Sequence, residues 1–200
     1  MRTRHVVIAA VVAGSLGVLA SLRVDRGWLA RTGPVQHALM QPRPGEVPPV
    51  AVARVGDRLP SIALPDAEGT SVDLGRRIGN RPALVNIWAS WCGPCIKEMP
   101  LLDAFGREQG ANGVQVVGIA LDDPAAVRDF LARTPVAYPI LVDAPGKADA
   151  GVRLGNPRGV LPYSVLVGAD GRIVEQWVGP LERDDLDAWA RKVDAVPTRD

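Results

Sequence analysis

The chain has 200 residues, with 23 Lys and Arg against 22 Asp and Glu, a formal net charge of +1, and two cysteines. A balance this even, with no long basic run, excludes the usual polycationic nucleic-acid surface, and two cysteines are too few for a disulfide-stapled scaffold. With 47% of its residues hydrophobic, the chain can bury a single core of ordinary domain size once an atypical N-terminus is set aside.

That N-terminus reads as a membrane address. Arg2, Arg4 and His5 precede an uncharged apolar run from Val6 to Leu22, which at ~1.5 Å per helical residue spans roughly 26 Å against a hydrocarbon core of ~30 Å. Residues 1–22 are therefore a marginal anchor or, with Val18-Leu19-Ala20 as the cleavage site, a signal peptide. Residues 23–54 carry Pro34, Pro42, Pro44, Pro48 and Pro49 among polar and small residues, with no sustained period, and read as a tether that holds the rest off a membrane. Trp28 and Leu29 suit a membrane interface or a short amphipathic turn.

From residue 55 to 196 the chain alternates strand-like and helix-like segments, as an α/β domain does, and 197–200 form a short tail. Ser61–Leu64 and Ser71–Leu74, joined through Glu68-Gly69, predict a hairpin. Ala83–Ala89 is a buried central strand. A helix follows over Gly93–Gln109, with Ile96, Met99, Leu102 and Phe105 inward, Pro100 predicted to kink it and Gly110 and Gly113 closing it. Val114–Leu121 is an almost continuous apolar run, as expected of a parallel strand covered on both faces. Asp123-Pro124 then reads as an N-cap and a first helical proline, with Val127, Phe130 and Leu131 facing inward. Tyr138–Val142 is a further strand and Lys147–Leu154 a further helix. Tyr163–Val167 and Arg172–Val178 make a hairpin through Asp170-Gly171. The last helix shows Leu186, Trp189, Ala190 and Val193 on one face, acids at its start and bases at its end.

Both cysteines fall in Trp91-Cys92-Gly93-Pro94-Cys95, directly between a strand and a helix. An attacking and a resolving sulfur must reach each other, and a helix start lowers the first thiol's pKa through its unpaired N–H groups. A structural disulfide closing so short a loop would constrain the unfolded chain little. A zinc site would need further ligands, and His5 and His37, the two histidines, lie upstream of the domain. The pair is therefore read as a dithiol/disulfide active site that needs no other cofactor. Cu(I) held by the same two soft ligands is the alternative function, an assembly module in place of an enzyme.

The pair after a buried strand, with Gly159-Val160-Leu161-Pro162 before the Asp170-Gly171 hairpin, resembles the thioredoxin fold. The leader, the strand and helix inserted after Leu121, and Lys97-Glu98-Met99-Pro100 narrow the likeness to the membrane-anchored TlpA-like and ResA-like thioredoxins, which reduce protein disulfides outside the bacterial cytoplasmic membrane. The resemblance implies a mixed central sheet flanked by helices, with an N-terminal β-hairpin and a central strand–helix insertion. It implies that Cys92 is the exposed nucleophile and Cys95 the resolving thiol, with Trp91, Gly93 and Pro94 forming the active-site turn. Gly-Pro is also the dipeptide of thioredoxin, whose potential is about −270 mV, so it argues for a reductant. Pro162 matches the family's cis-proline, which with Leu161 would line the substrate site; an ordinary trans turn proline is the other reading.

Asn86 stands where thioredoxin has an acid that assists the resolving cysteine, and an amide cannot transfer that proton. Glu98 matches the relatives' glutamate and would serve as the relay if burial raises its pKa; otherwise it is a solvent-facing charge. Trp88 reads as core, Trp91 as part of an apolar docking surface, and Lys97 as an exposed helix charge. The resemblance implies disulfide-containing protein substrates, a membrane thiol-transfer electron donor, and a catalytic domain in the periplasm, anchored to the inner membrane or released by signal cleavage. Apocytochrome c cysteines and copper-site proteins are the implied substrate classes.

Overall fold

The computed structural model describes residues 31–194 apart from Pro44 and Val47. The expected anchor or signal peptide, Trp28 and Leu29, and the C-terminal tail lie outside the described residues. The chain divides into two compact units, 1–36 and 37–200, and the second holds the domain.

Its centre is a five-stranded sheet in the order β5-β4-β3-β6-β7, formed by β3 (Ala83–Trp88), β4 (Gln115–Leu121), β5 (Ile140–Asp143), β6 (Tyr163–Val167) and β7 (Ile173–Val178). β3, β4 and β5 run parallel, while β6 and β7 pair antiparallel. A separate two-stranded hairpin of β1 (Ala63–Pro65) and β2 (Ser71–Asp73) precedes it. This is the expected mixed sheet with its N-terminal hairpin and its central strand–helix insertion.

Every residue of β3 is buried, and alternation sends its side chains to two different cores. Leu84 and Trp88 join one that contains Met99, Leu102 and Phe105 of α3 (Gly93–Glu108), Val127 and Phe130 of α4 (Pro124–Arg133), and Leu186, Trp189 and Val193 of α6 (Arg183–Asp194). Ala83, Val85 and Ile87 join the other, with Ile62 just before the hairpin and Leu64 within it, Leu74 and Ile78 of α2 (Leu74–Ile78), and Ala150 of α5 (Ala150–Arg153). Asn86 shares the α3 side of β3, a polar residue pointed into an apolar layer. Gly118, opposite Asn86 in the register, is closely covered: a Cβ would lie 2.5 Å from Ile140 Cδ1 and 3.2 Å from Trp88 Nε1, so the Ile140 side chain would have to shift. Trp88 is core, as expected, and its ring tilts against Phe130 at 5.2 Å.

Local signals explain most boundaries. Asp123 caps α4 by accepting from Ala125 N and Ala126 N, with Pro124 in the first turn. Pro100 sits inside α3 without ending it. Three expectations change. Helix α2 was not expected; Asp73 caps it by accepting from Arg76 N, and Gly79 at φ 63° closes it. The helix expected over Lys147–Leu154 shrinks to α5, because Asp149 accepts from Val152 N and starts the helix there. Within the stretch read as tether, Gly33–Leu39 forms helix α1, Pro34 supplying a first-turn φ already suited to a helix. Leu39, Met40 and Ala53 pack on the second core, and Ala53 N donates to Arg153 O at 3.0 Å.

Candidate active site

Cys92 and Cys95 form a disulfide with Cα atoms 5.3 Å apart. β3 delivers them: it ends at Trp88, a turn closed by Cys92 N donating to Ala89 O at 3.0 Å follows, and α3 begins at Gly93. Cys92 is the N-cap of that helix, its sulfur accepting from Cys95 N at 3.3 Å. A sulfur in that position faces the helix's positive end, which favours a thiolate once the bond is reduced. Cys92 is less open than expected, at 5% exposure, but Cys95 has 0%. An incoming disulfide therefore reaches Cys92 first. Gly93 and Pro94 are exposed, and Trp91 is 69% exposed beside them. Lys97 is exposed on α3.

The Leu161–Pro162 peptide is cis. Ile87 pairs with Tyr163 in the antiparallel register, which sets Pro162 level with the end of β3 where the cysteine turn leaves. Leu161 packs against the core cluster that holds both sulfurs. Tyr163 points away, its hydroxyl donating to Leu154 O at 3.0 Å. The loop before the proline is fixed by buried Asn156, which donates to Val160 O at 2.8 Å and accepts from Val160 N at 3.1 Å.

Glu98, one helical turn beyond Cys95, is buried. The solvent-facing alternative is thereby removed. Its two oxygens accept from Asn86 Nδ2 at 2.8 Å and from Leu181 N at 2.9 Å. Burial raises its pKa to about 7, and these two hydrogen bonds only partly oppose that rise. Asn86, which also donates to Ser164 Oγ at 3.0 Å, thus holds the acid that it does not itself supply. Tyr138 is close enough that the charges of Glu98 and Asp103, after burial itself, raise its phenol pKa. Sequence reasoning missed Leu181 and Ser164 here, because each reaches the site only through contacts distant in sequence. Among the described residues, no three His, Cys, Asp or Glu side chains gather as a metal site.

The Redoxin family model matches residues 54–190. The chain belongs to the Redoxin family. This Redoxin chain is 33% identical over 164 residues to the thiol:disulfide interchange protein HelX of Rhodobacter capsulatus, covering 80% of this chain and 84% of that protein. It is 27% identical over 141 residues to the thiol-disulfide oxidoreductase ResA of Bacillus thuringiensis (strain Al Hakam), covering 70% and 79%. The crystal structure of a thioredoxin-related protein from Neisseria meningitidis serogroup B superposes with a TM-score of 0.59 at 31% identity, covering 66% of this chain and 99% of that one. With the Cys92–Cys95 bond at the start of α3, the Redoxin domain is a thiol–disulfide oxidoreductase.

Proposed function

We propose that the protein is a membrane-tethered reductase of protein disulfides, acting in the periplasm. The observation that carries the direction of attack is the difference between the two sulfurs: Cys92 caps a helix and has the pair's only exposed surface, whereas Cys95 is sealed beneath it. The Cys92 thiolate attacks one sulfur of a substrate disulfide, forming a mixed disulfide and releasing the first substrate thiolate. Cys95 then attacks the Cys92 sulfur, the mixed bond breaks, and the second substrate thiolate leaves as the Cys92–Cys95 bond closes. Two electrons pass from the dithiol to the substrate, and the dithiol's two protons end on the substrate thiols. Glu98 is the relay that takes the Cys95 proton, since a carboxyl held near neutrality exchanges protons readily at the working pH. Trp91, Leu161 and the Pro162 loop receive the substrate chain.

The apolar run Val6–Leu22 supports anchoring in the inner membrane, or export followed by cleavage. In that compartment the spent disulfide requires a membrane thiol-transfer partner as electron donor. Reduction of cysteines in cytochrome c maturation or in copper-site assembly fits a dedicated reductant of this kind. The test is the redox equilibrium of the purified chain with glutathione, followed by thiol trapping. A two-electron transition near the thioredoxin value of about −270 mV supports the reading. A strongly oxidising potential replaces reduction with disulfide donation, and stoichiometric Cu(I) binding without disulfide turnover replaces the enzyme with an assembly module.

A further inference from the structure

The turn that presents Trp91 and Cys92 is held from outside its own strand. β3 and β4 run parallel with Trp88 beside Ala120, so Ser90, just past β3, comes level with Asp122, just past β4. Asp122 Oδ2 accepts from both the Ser90 hydroxyl, at 2.6 Å, and Ser90 N, at 3.0 Å. Its other oxygen accepts from Asp123 N at 2.8 Å, and its own N–H donates to Asp143 O at 3.1 Å, tying it to the end of β5. The carboxylate thus accepts from three donors, one O–H and two N–H groups. Burial pushes its pKa up, but the Ser90 hydroxyl, Asp123 N and Ser90 N outweigh that and hold the group below the usual carboxylate range.

We propose that Asp122 is a positioning residue for disulfide exchange: through Ser90 it latches the Ala89–Ser90–Trp91 turn to the β4–β5 edge, and so fixes where Cys92 and Trp91 meet the substrate. The inference rests on the reading of Cys92 as the attacking thiol. Two consequences follow for the chemistry. A latched turn keeps Cys92 in the capping position, so attack on a substrate disulfide loses less freedom at each encounter. The same latch keeps the two sulfurs in reach of one another, favouring closure of the Cys92–Cys95 bond over the open dithiol.

The test compares the full chain with Ser90→Ala, Ser90→Thr, Asp122→Ala and the Ser90→Ala/Asp122→Ala double variant. Reduced protein is mixed with dithiobis(nitrobenzoate) at pH 9.5, where a thiol of ordinary pKa is largely ionised, so a changed local charge has little effect on the thiolate fraction. Ser90→Ala and Asp122→Ala are expected to slow the attack at least threefold, Ser90→Thr to stay within about 1.5-fold of the parent, and the double variant to be no slower than the slower single one, because Ser90 acts through Asp122. Equilibrium with glutathione is expected to favour the disulfide about threefold less in both alanine variants, a shift of about 14 mV toward a more oxidising potential at 29.6 mV per tenfold. A loss of stability unrelated to the Ser90–Asp122 bond would not produce Ser90→Thr rescue or non-additivity. If Asp122→Ala does not fold, the Ser90→Ala and Ser90→Thr pair decides alone. Parental rate and potential in Ser90→Ala, a Ser90→Thr protein as slow as Ser90→Ala, or additive losses in the double variant overturn the latch. Cys92→Ser reacting at the parental rate would instead overturn the assignment of the nucleophile, and the latch with it.

Discussion

Glu98→Gln isolates the buried acid. The folded protein holds this carboxyl at about 7 against 4.5 for the free group, and at 1.36 kcal/mol per pKa unit the difference is roughly 3 kcal/mol. The unfolded chain releases the Glu98 proton above pH 4.5 while the folded chain keeps it until about 7, so between those values the folded state binds more protons. The contribution is therefore complete below about pH 4.5 and is lost as the pH rises through about 7. Gln cannot ionise, and it fits the site because its neighbours can adjust: the Asn86 amide can rotate to accept from the new NH2 group, and the Ser164 hydroxyl can turn from acceptor to donor. Urea denaturation of the oxidised chain and of the variant, at fixed ionic strength from pH 4.5 to 8.5, should show the parent losing about 3 kcal/mol relative to Glu98→Gln across that range. The disulfide-exchange rate of the variant should lose the inflection near pH 7. Parallel stability curves would refute the claim that a buried, reluctant carboxylate sits at this position, and an unchanged rate–pH profile would remove Glu98 from proton transfer.

Cys95→Ser should accumulate a mixed disulfide through Cys92 with a reducible protein such as oxidised insulin, visible on a non-reducing gel, whereas Cys92→Ser should form none. Trp91→Ala should change the unfolding free energy by less than about 0.5 kcal/mol, since the ring is 69% exposed, yet raise KM for a protein disulfide several-fold; an unchanged KM would exclude the ring from docking. Gly155→Ala should destabilise the oxidised chain by roughly 2–4 kcal/mol in urea. Gly155 sits at φ +115°, and a Cβ there would lie 2.0 Å from Gln176 Nε2, 2.6 Å from the Tyr163 hydroxyl and 2.9 Å from Ala53 O. Near-parental stability would show that these three groups are not held against the loop.

Most of the fold was legible because its signals are local. A six-residue run at β3 that is apolar except for Asn86, an Asp-Pro start at α4 and an Asp-Gly turn between β6 and β7 each depend on neighbours within a few residues. The misread segments lack such a signal or hide it. Leu74 looked like the end of a strand because the cap that makes it a helix start, Asp73 to Arg76 N, is indistinguishable in sequence from an acidic turn residue. Ala53 looked like tether because the partner of its backbone N–H, Arg153 O, is 100 residues away in the chain.

The chemistry and its place are readable from the chain alone: two thiols at the spacing of a closable disulfide, set at the start of a helix by the strand that precedes it. These are properties of a few consecutive residues and their backbone geometry. Tertiary structure decided which thiol can be reached, whether Glu98 titrates near neutrality, and what holds the turn in place. Exposure, desolvation and the Asp122–Ser90 bonds all arise from segments 12 to 83 residues apart being packed together. A residue's charge is written in its side chain, but the free energy of keeping or losing that charge is set by everything the fold brings around it.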